Sequence, residues 1–285
     1  MFKLTLPVDI LDGKRTLSDA RWWQAMWSWY MKNYSFLIIL FFLFWSSPSK
    51  ANNFKANRIA HAGGEINGKT YTNSYEALNL NFKKGFVYFE IDFSFTKDDQ
   101  LVCLHDWEGN FQQIFKFKVN EKLPLDEFKY IARNNSEYEN CTLDGLALWM
   151  KQNPSAIIIT DVKENNIDAL KIIAQILPNA SKRVIPQIYY PKNFKIVQDM
   201  GYESIIWTLY RFPGSNEDVL IWIDKLFSGS FAITMPQSRA TTELPKILAK
   251  KEIPSYVYTI NSKDNMLMFI NGWGITEIYT DFIIP

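Results

Sequence analysis

The chain has 285 residues, 47% of them hydrophobic, which suits one large domain with a substantial core. Its 31 basic and 30 acidic side chains nearly cancel, so no overall positive field marks a nucleic-acid binder, and an anionic ligand has to be held by a local site. The two cysteines, Cys103 and Cys141, fit neither a disulfide-dense scaffold nor a zinc framework, because no second Cys or His stands at ligand spacing.

Residues 1–51 read as a separate object. From Phe36 to Trp45 the run FLIILFFLFW is unbroken apolar, about half the length that a membrane-spanning helix needs. Read from Met31, the order is Lys32, an apolar stretch from Tyr34 to Trp45, then SSPSKA with small Ser49 and Ala51. That is the layout of a secretory signal peptide cleaved after Ala51, with translation starting at Met31. The alternative joins residues 22–45, including the Trp-rich WWQAMWSWY, into an imperfect span that anchors the protein in a membrane with its Trp residues at the interface. Both readings put residues 52–285 outside the cytoplasm, periplasmic or secreted, as the functional domain.

From Asn52 onward, short β-rich runs alternate with helix-like segments. Strands are predicted over 57–61, 86–93, 156–162, 184–190, 204–210, 231–235, 255–260 and 277–281. Helices are predicted over 74–85, 166–177, 191–201, 216–227, 243–251 and 263–272, with Gly85, Gly201 and Gly272 closing three of them. Eight such β-α units predict an α/β fold of the TIM (β/α)8 type, a closed parallel barrel inside a ring of helices. A doubly wound open sheet is the alternative, and the eightfold count disfavours it.

One segment breaks the rhythm. After the second strand the chain runs from Asp92 through KDDQ straight back along LVCLHD, too short a return for a parallel crossover. A β-hairpin is expected. With Asp98 and Asp99 as its two central turn residues, Asp92 falls opposite His105.

The protein has only two histidines. His61 ends the first predicted strand and is followed by Ala62-Gly63-Gly64, where glycines let the backbone turn sharply and approach a ligand closely. The hairpin returns His105 to the end of the second strand, so both histidines converge on the C-terminal mouth, where parallel barrels carry their active sites. Glu90 and Asp92 share one strand face there and would repel each other without a cation between them. Asp161, at the end of the next barrel strand, completes a candidate metal site whose hard oxygen ligands suit Ca2+ or Mg2+ better than Zn2+. Lys163 shares a face with Asp161 and would present a cation to an anionic substrate, although an Asp-x-Lys strand end is also a common surface pair. Asn73, followed by Ser-Tyr-Glu76, reads first as a helix N-cap with a reciprocal glutamate and second as a substrate contact. Asp106 either orients the neighbouring imidazole or caps the following loop.

These residues resemble the glycerophosphodiester phosphodiesterase family, within the wider group of phospholipase-C-like phosphodiesterase barrels. His61-Ala-Gly-Gly, Asn73-Ser, Glu90-Ile-Asp92, Thr96-Lys-Asp, His105-Asp106, Asp161-Val-Lys163, Val257-Tyr-Thr-Ile-Asn261 and Thr280-Asp281 follow that family's order from about residue 57 to the C-terminus. The resemblance implies a phosphodiesterase with a divalent ion at Glu90, Asp92 and Asp161, with His61 and His105 as catalytic proton carriers and Lys163, Asn73 and Gly63 as candidate substrate contacts. It implies a small-molecule phosphodiester substrate, cleaved to glycerol 3-phosphate and an alcohol such as choline or ethanolamine. Three positions depart from the family pattern: Ala62 stands where Arg is usual, Asp161 where Glu is usual and Tyr258 where Trp is common. Related phospholipases of D or C type, and a barrel that binds phosphodiesters without turnover, are the alternatives.

Overall fold

The computed structural model describes residue 52 and residues 54–285; the predicted signal or anchor segment lies outside the described residues. Among the described residues, no helix is long and apolar enough to cross a membrane.

Nine strands are present: β1 (Ile59–Ala60), β2 (Tyr88–Phe95), β3 (Leu101–Cys103), β4 (Ile157–Asp161), β5 (Val184–Ile188), β6 (Ser204–Thr208), β7 (Ser230–Pro236), β8 (Ser255–Tyr258) and β9 (Glu277–Thr280). All but β3 are parallel, in the order β1-β9-β8-β7-β6-β5-β4-β2, and β1 also pairs with β2 to close the ring. The eight predicted barrel strands all form, and the chain is a TIM barrel.

The strands build two cores because successive side chains point to opposite faces. On β6, Ile205 and Trp207 face the helices while Ile206 faces the barrel axis; on β4, Ile158 faces out and Ile159 in. Ile59, Ile159, Ile185, Ile206, Ala232, Tyr256 and Tyr279 fill the barrel interior. Phe54 and Ala56 join them just before β1, where the Tyr256 hydroxyl accepts from Ala56 N at 3.0 Å and donates to Ala56 O at 2.7 Å. The N-terminal end of the barrel is thereby plugged, and the site is left to the opposite mouth.

The helices follow the predicted segments with local differences. Residues 75–83 form a helix whose N-cap is Ser74, its hydroxyl accepting from Ala77 N at 3.2 Å. Asn73, predicted as that cap, lies one residue upstream with φ +47° and its side chain turned elsewhere. Gly85 and Gly201 adopt positive φ at helix ends, but Gly272 lies inside a π-turn over Met268–Trp273 and the closing left-handed residue is Gly274.

Strand β3 returns antiparallel to β2, pairing Phe93 with Cys103, Ser94 with Val102 and Phe95 with Leu101. This register is shifted by one from the expected one. The turn has three residues, Lys97 to Asp99, closed by Thr96 N to Gln100 O at 2.8 Å, and Asp99 takes the left-handed conformation at φ +56°. The Thr96 hydroxyl, accepting from Gln100 N at 2.9 Å and donating to Asp98 Oδ1 at 2.7 Å, locks the longer loop in place of the two-residue turn. Asp92 therefore falls level with Leu104, whose N–H it accepts at 3.1 Å, and not with His105.

Beyond β3, helices Gly109–Phe115 and Leu125–Asn134 pack Phe111, Phe115, Phe128 and Ile131 against Val102, Leu104 and Trp107 as a separate small core. Cys103 and Cys141 are joined in a disulfide across this excursion, with Cα atoms 5.0 Å apart.

Candidate active site

The C-terminal mouth of the barrel encloses a cavity of about 160 Å3 lined by His61, Glu90, Asp92, His105, Asp161 and Lys163, with Tyr71 and aromatic residues from later strands. All five predicted catalytic and metal residues therefore meet, together with Lys163.

The strand ends explain the carboxylates. Parallel register places Asp92 beside Asp161, and Glu90 lies two residues below Asp92 on the same face. One oxygen from each of Glu90, Asp92 and Asp161 lies within 4.8 Å of the others. Glu90 Oε2 accepts from Ala62 N at 2.7 Å. Burial pushes Glu90 up to about 8, and the Asp92 charge adds to the shift. Burial also acts to raise Asp92, but Lys163, His105 and His61 outweigh it and hold that carboxyl below the usual range.

Lys163 answers part of this negative charge. Its Nζ lies 3.1 Å from Asp92 Oδ1 and 2.8 Å from Asp161 Oδ2. Asp161 Oδ1 is buried without a hydrogen-bond partner. An all-oxygen trio with one orphaned carboxylate oxygen and only one ammonium fits a hard divalent cation.

Asn73 is fully buried and serves Asp92: its Nδ2 donates to Asp92 Oδ2 at 3.0 Å and its Oδ1 accepts from Asp92 N at 3.1 Å. It fixes the carboxylate from behind and does not line the cavity wall. Gly63 is off that wall too. A Cβ there would face Ala77, Leu78 and Ile91 at 3.8 Å, and its carbonyl accepts from Asn81 Nδ2 at 3.0 Å. The close approach that the glycine pair permits is to Asn81: a Cβ on Gly64, at φ +86°, would sit 2.5 Å from Asn81 Nδ2.

His61 Nδ1 contacts Asp281 Oδ1 at 2.9 Å, and Asn261 Nδ2 donates to Asp281 Oδ2 at 2.7 Å. Burial opposes a charged imidazole, but the Asp281 hydrogen bond and the fields of Glu90 and Asp92 prevail and raise His61 to about 9. His105 lies past the end of β3, so ladder alternation no longer fixes its side chain. Asp106 both orients and caps: its Oδ2 lies 2.6 Å from His105 Nδ1, while its Oδ1 accepts from Asn110 N at 2.9 Å.

Two further site residues escaped sequence reasoning. Asp281 carried no assigned role, although its place at the end of the last barrel strand signals the same mouth. Tyr71 sits edge-on to both imidazoles, with ring centroids 4.5 Å from His61 and 5.5 Å from His105. Its left-handed backbone, φ +59°, turns it inward from a polar loop that holds no sequence signal for this. Burial and the nearby carboxylates keep its hydroxyl protonated by raising its pKa.

Searches of family models and of curated proteins find no match to this chain. Solved structures do match. A glycerophosphodiester phosphodiesterase from Thermotoga maritima superposes with a TM-score of 0.61 at 19% identity, over 80% of this chain and 96% of that one. A glycerophosphoryl diester phosphodiesterase from Parabacteroides distasonis gives 0.62 at 16% identity, over 83% and 86%. A phosphodiesterase from Oleispira antarctica, solved in complex with the product sn-glycerol-3-phosphate, gives 0.61 at 16% identity, over 82% and 96%. The chain thus has the barrel fold of these glycerophosphodiester phosphodiesterases.

Proposed function

We propose that this chain is an exported, metal-dependent phosphodiesterase that hydrolyses glycerophosphodiesters to glycerol 3-phosphate and an alcohol. One observation carries the reading: two imidazoles, each held at Nδ1 by its own carboxylate, flank three clustered carboxylates at the open end of the barrel. Glu90, Asp92 and Asp161 would hold a divalent cation, Ca2+ or Mg2+, which when bound supplies charge neutralisation for the phosphoryl oxygens. Lys163, beside Asp92 and Asp161, adds a fixed positive charge toward the phosphate. With each Nδ1 tied back, the Nε2 atoms of His61 and His105 are left to exchange protons with the attacking and departing oxygens. His61 as base and His105 as acid is the working assignment; a cation held by Glu90, Asp92 and Asp161 would offset the carboxylate fields that raise His61 and leave its imidazole able to accept a proton. The product complex of the Oleispira antarctica protein supports the substrate class, and the disulfide is in keeping with an oxidising compartment. Residues 1–51 would direct the export, and 52–285 would be the catalytic domain.

The test is an assay of the full-length chain with glycerophosphocholine and glycerophosphoethanolamine, with and without a chelator. Hydrolysis abolished by the chelator and restored by Ca2+ or Mg2+ is expected. Activity that survives the chelator, or survives both His61→Ala and His105→Ala, defeats the mechanism.

A further inference from the structure

A second cavity, of about 220 Å3, opens beside the first and shares His105 and Lys163 with it. Phe93, Phe95 and Trp107 are among its lining residues, and the Trp107 N–H is spent on Phe95 O at 2.8 Å. Its other ionic groups are mostly committed. Lys122 pairs with Glu164 at 2.6 Å, Asp106 with His105 at 2.6 Å, and Lys163 with the metal carboxylates. Two lining charges, Glu108 and Arg211, make no ion pair among the described residues, and both are exposed. Arg211 is nonetheless held in position. Its Nη1 donates to Lys163 O at 3.0 Å, and its guanidinium lies 5.3 Å from the centre of the Tyr189 ring. That leaves Nε and Nη2 to meet an anion, and a planar fork of this kind matches a carboxylate.

A phosphodiester has two ester arms. With its phosphate at the carboxylate trio, an arm directed past His105 enters the second cavity, and His105 stands at the junction of the two. We propose that this second cavity is the compartment for the leaving alcohol, and that Glu108 and Arg211 select an alcohol bearing both an ammonium and a carboxylate. The inference rests on the phosphodiesterase reading above. In the net step a water oxygen bonds to phosphorus and the bond from phosphorus to the alcohol oxygen breaks. His105 gives its proton to the departing oxygen and the second histidine takes one from water. A phosphomonoester and the neutral hydroxyl of a zwitterionic alcohol result.

The experiment compares kcat/KM of the full-length chain, supplied with Mg2+ or Ca2+, for glycerophosphoserine, glycerophosphoethanolamine and glycerophosphoglycerol. Glycerophosphoserine is expected to lead by about 10-fold, near the lower end of what one charge-assisted hydrogen bond supplies. Within single preparations, Arg211→Gln should lower the serine-to-ethanolamine ratio about 10-fold, and Glu108→Gln the ethanolamine-to-glycerol ratio by a similar factor. Because each is a ratio on one sample, loss of folded protein does not mimic it. Hydrolysis of all three at similar rates, with ratios unmoved by either variant, overturns the inference and leaves the phosphodiesterase reading standing. Failure to hydrolyse any of the three overturns the inference, and failure on glycerophosphocholine as well removes the phosphodiesterase reading.

Discussion

His61 and Asp281 close the barrel chemically as well as structurally: the strands they directly follow, β1 and β9, pair side by side, and His61 Nδ1 lies 2.9 Å from Asp281 Oδ1. The carboxylate fixes which ring nitrogen faces the cavity and supports a positive imidazole. Asp281→Asn keeps the shape and removes the charge. The expected result is a fall in kcat of about 100-fold, the lower range of a general acid-base contribution, with KM little changed. The limb of the pH–rate profile that reports His61 should move to lower pH, because Asp281 raises that group. A variant with wild-type kcat and an unmoved profile would show that Asp281 is only structural.

The metal-free protein should lose stability as pH rises. Glu90 is raised from 4.5 to about 8 and His61 from 6.5 to about 9, so in both windows the folded state binds more protons than the unfolded one. The His61 contribution is complete below pH 6.5 and is lost as pH passes 9; the Glu90 penalty grows from pH 4.5 to 8. A bound divalent cation favours ionised Glu90 and so opposes the decline. In thermal unfolding with a chelator, Tm should drop between pH 5 and 9, and Mg2+ or Ca2+ should raise Tm more at pH 8 than at pH 5. An equal metal-induced rise at both pH values would count against carboxylate ligation.

Lys163→Met removes the ammonium between Asp92 and Asp161, whose contacts of 3.1 and 2.8 Å are largely buried. Without metal the two carboxylates lose their common partner, and a destabilisation of about 2 kcal/mol is expected, in line with hydrogen bonds to charged groups. Denaturant unfolding should find that loss reduced when a divalent cation is present. The same ΔΔG with and without metal would separate Lys163 from the cation site.

The disulfide between Cys103 and Cys141 spans 38 residues of sequence and sits two residues before His105. Loop-closure entropy for such a span makes reduction cost about 4 kcal/mol. Denaturant unfolding with and without dithiothreitol checks this. The reduced protein should also turn over more slowly, because Cys103 anchors the strand that delivers His105.

The sequence by itself determined the barrel, its eight strands and the convergence of both histidines on three carboxylates. Those features are written locally: strand alternation sets which residues share a face, and parallel closure brings all strand ends to one mouth. Tertiary structure decided what depends on distant partners. Asp281 reaches His61 across 220 residues, and Tyr71 enters between the imidazoles from a loop without periodicity. Asn73 and Gly63 turned to Asp92 and Asn81 because buried polar groups take the nearest unmatched partner, which packing alone supplies. The hairpin slipped one residue because the Thr96 hydroxyl and the left-handed Asp99 stabilise a three-residue turn. His105 still reaches the site, since beyond Cys103 its direction is set by Asp106 and the small core beneath the excursion and no longer by strand register.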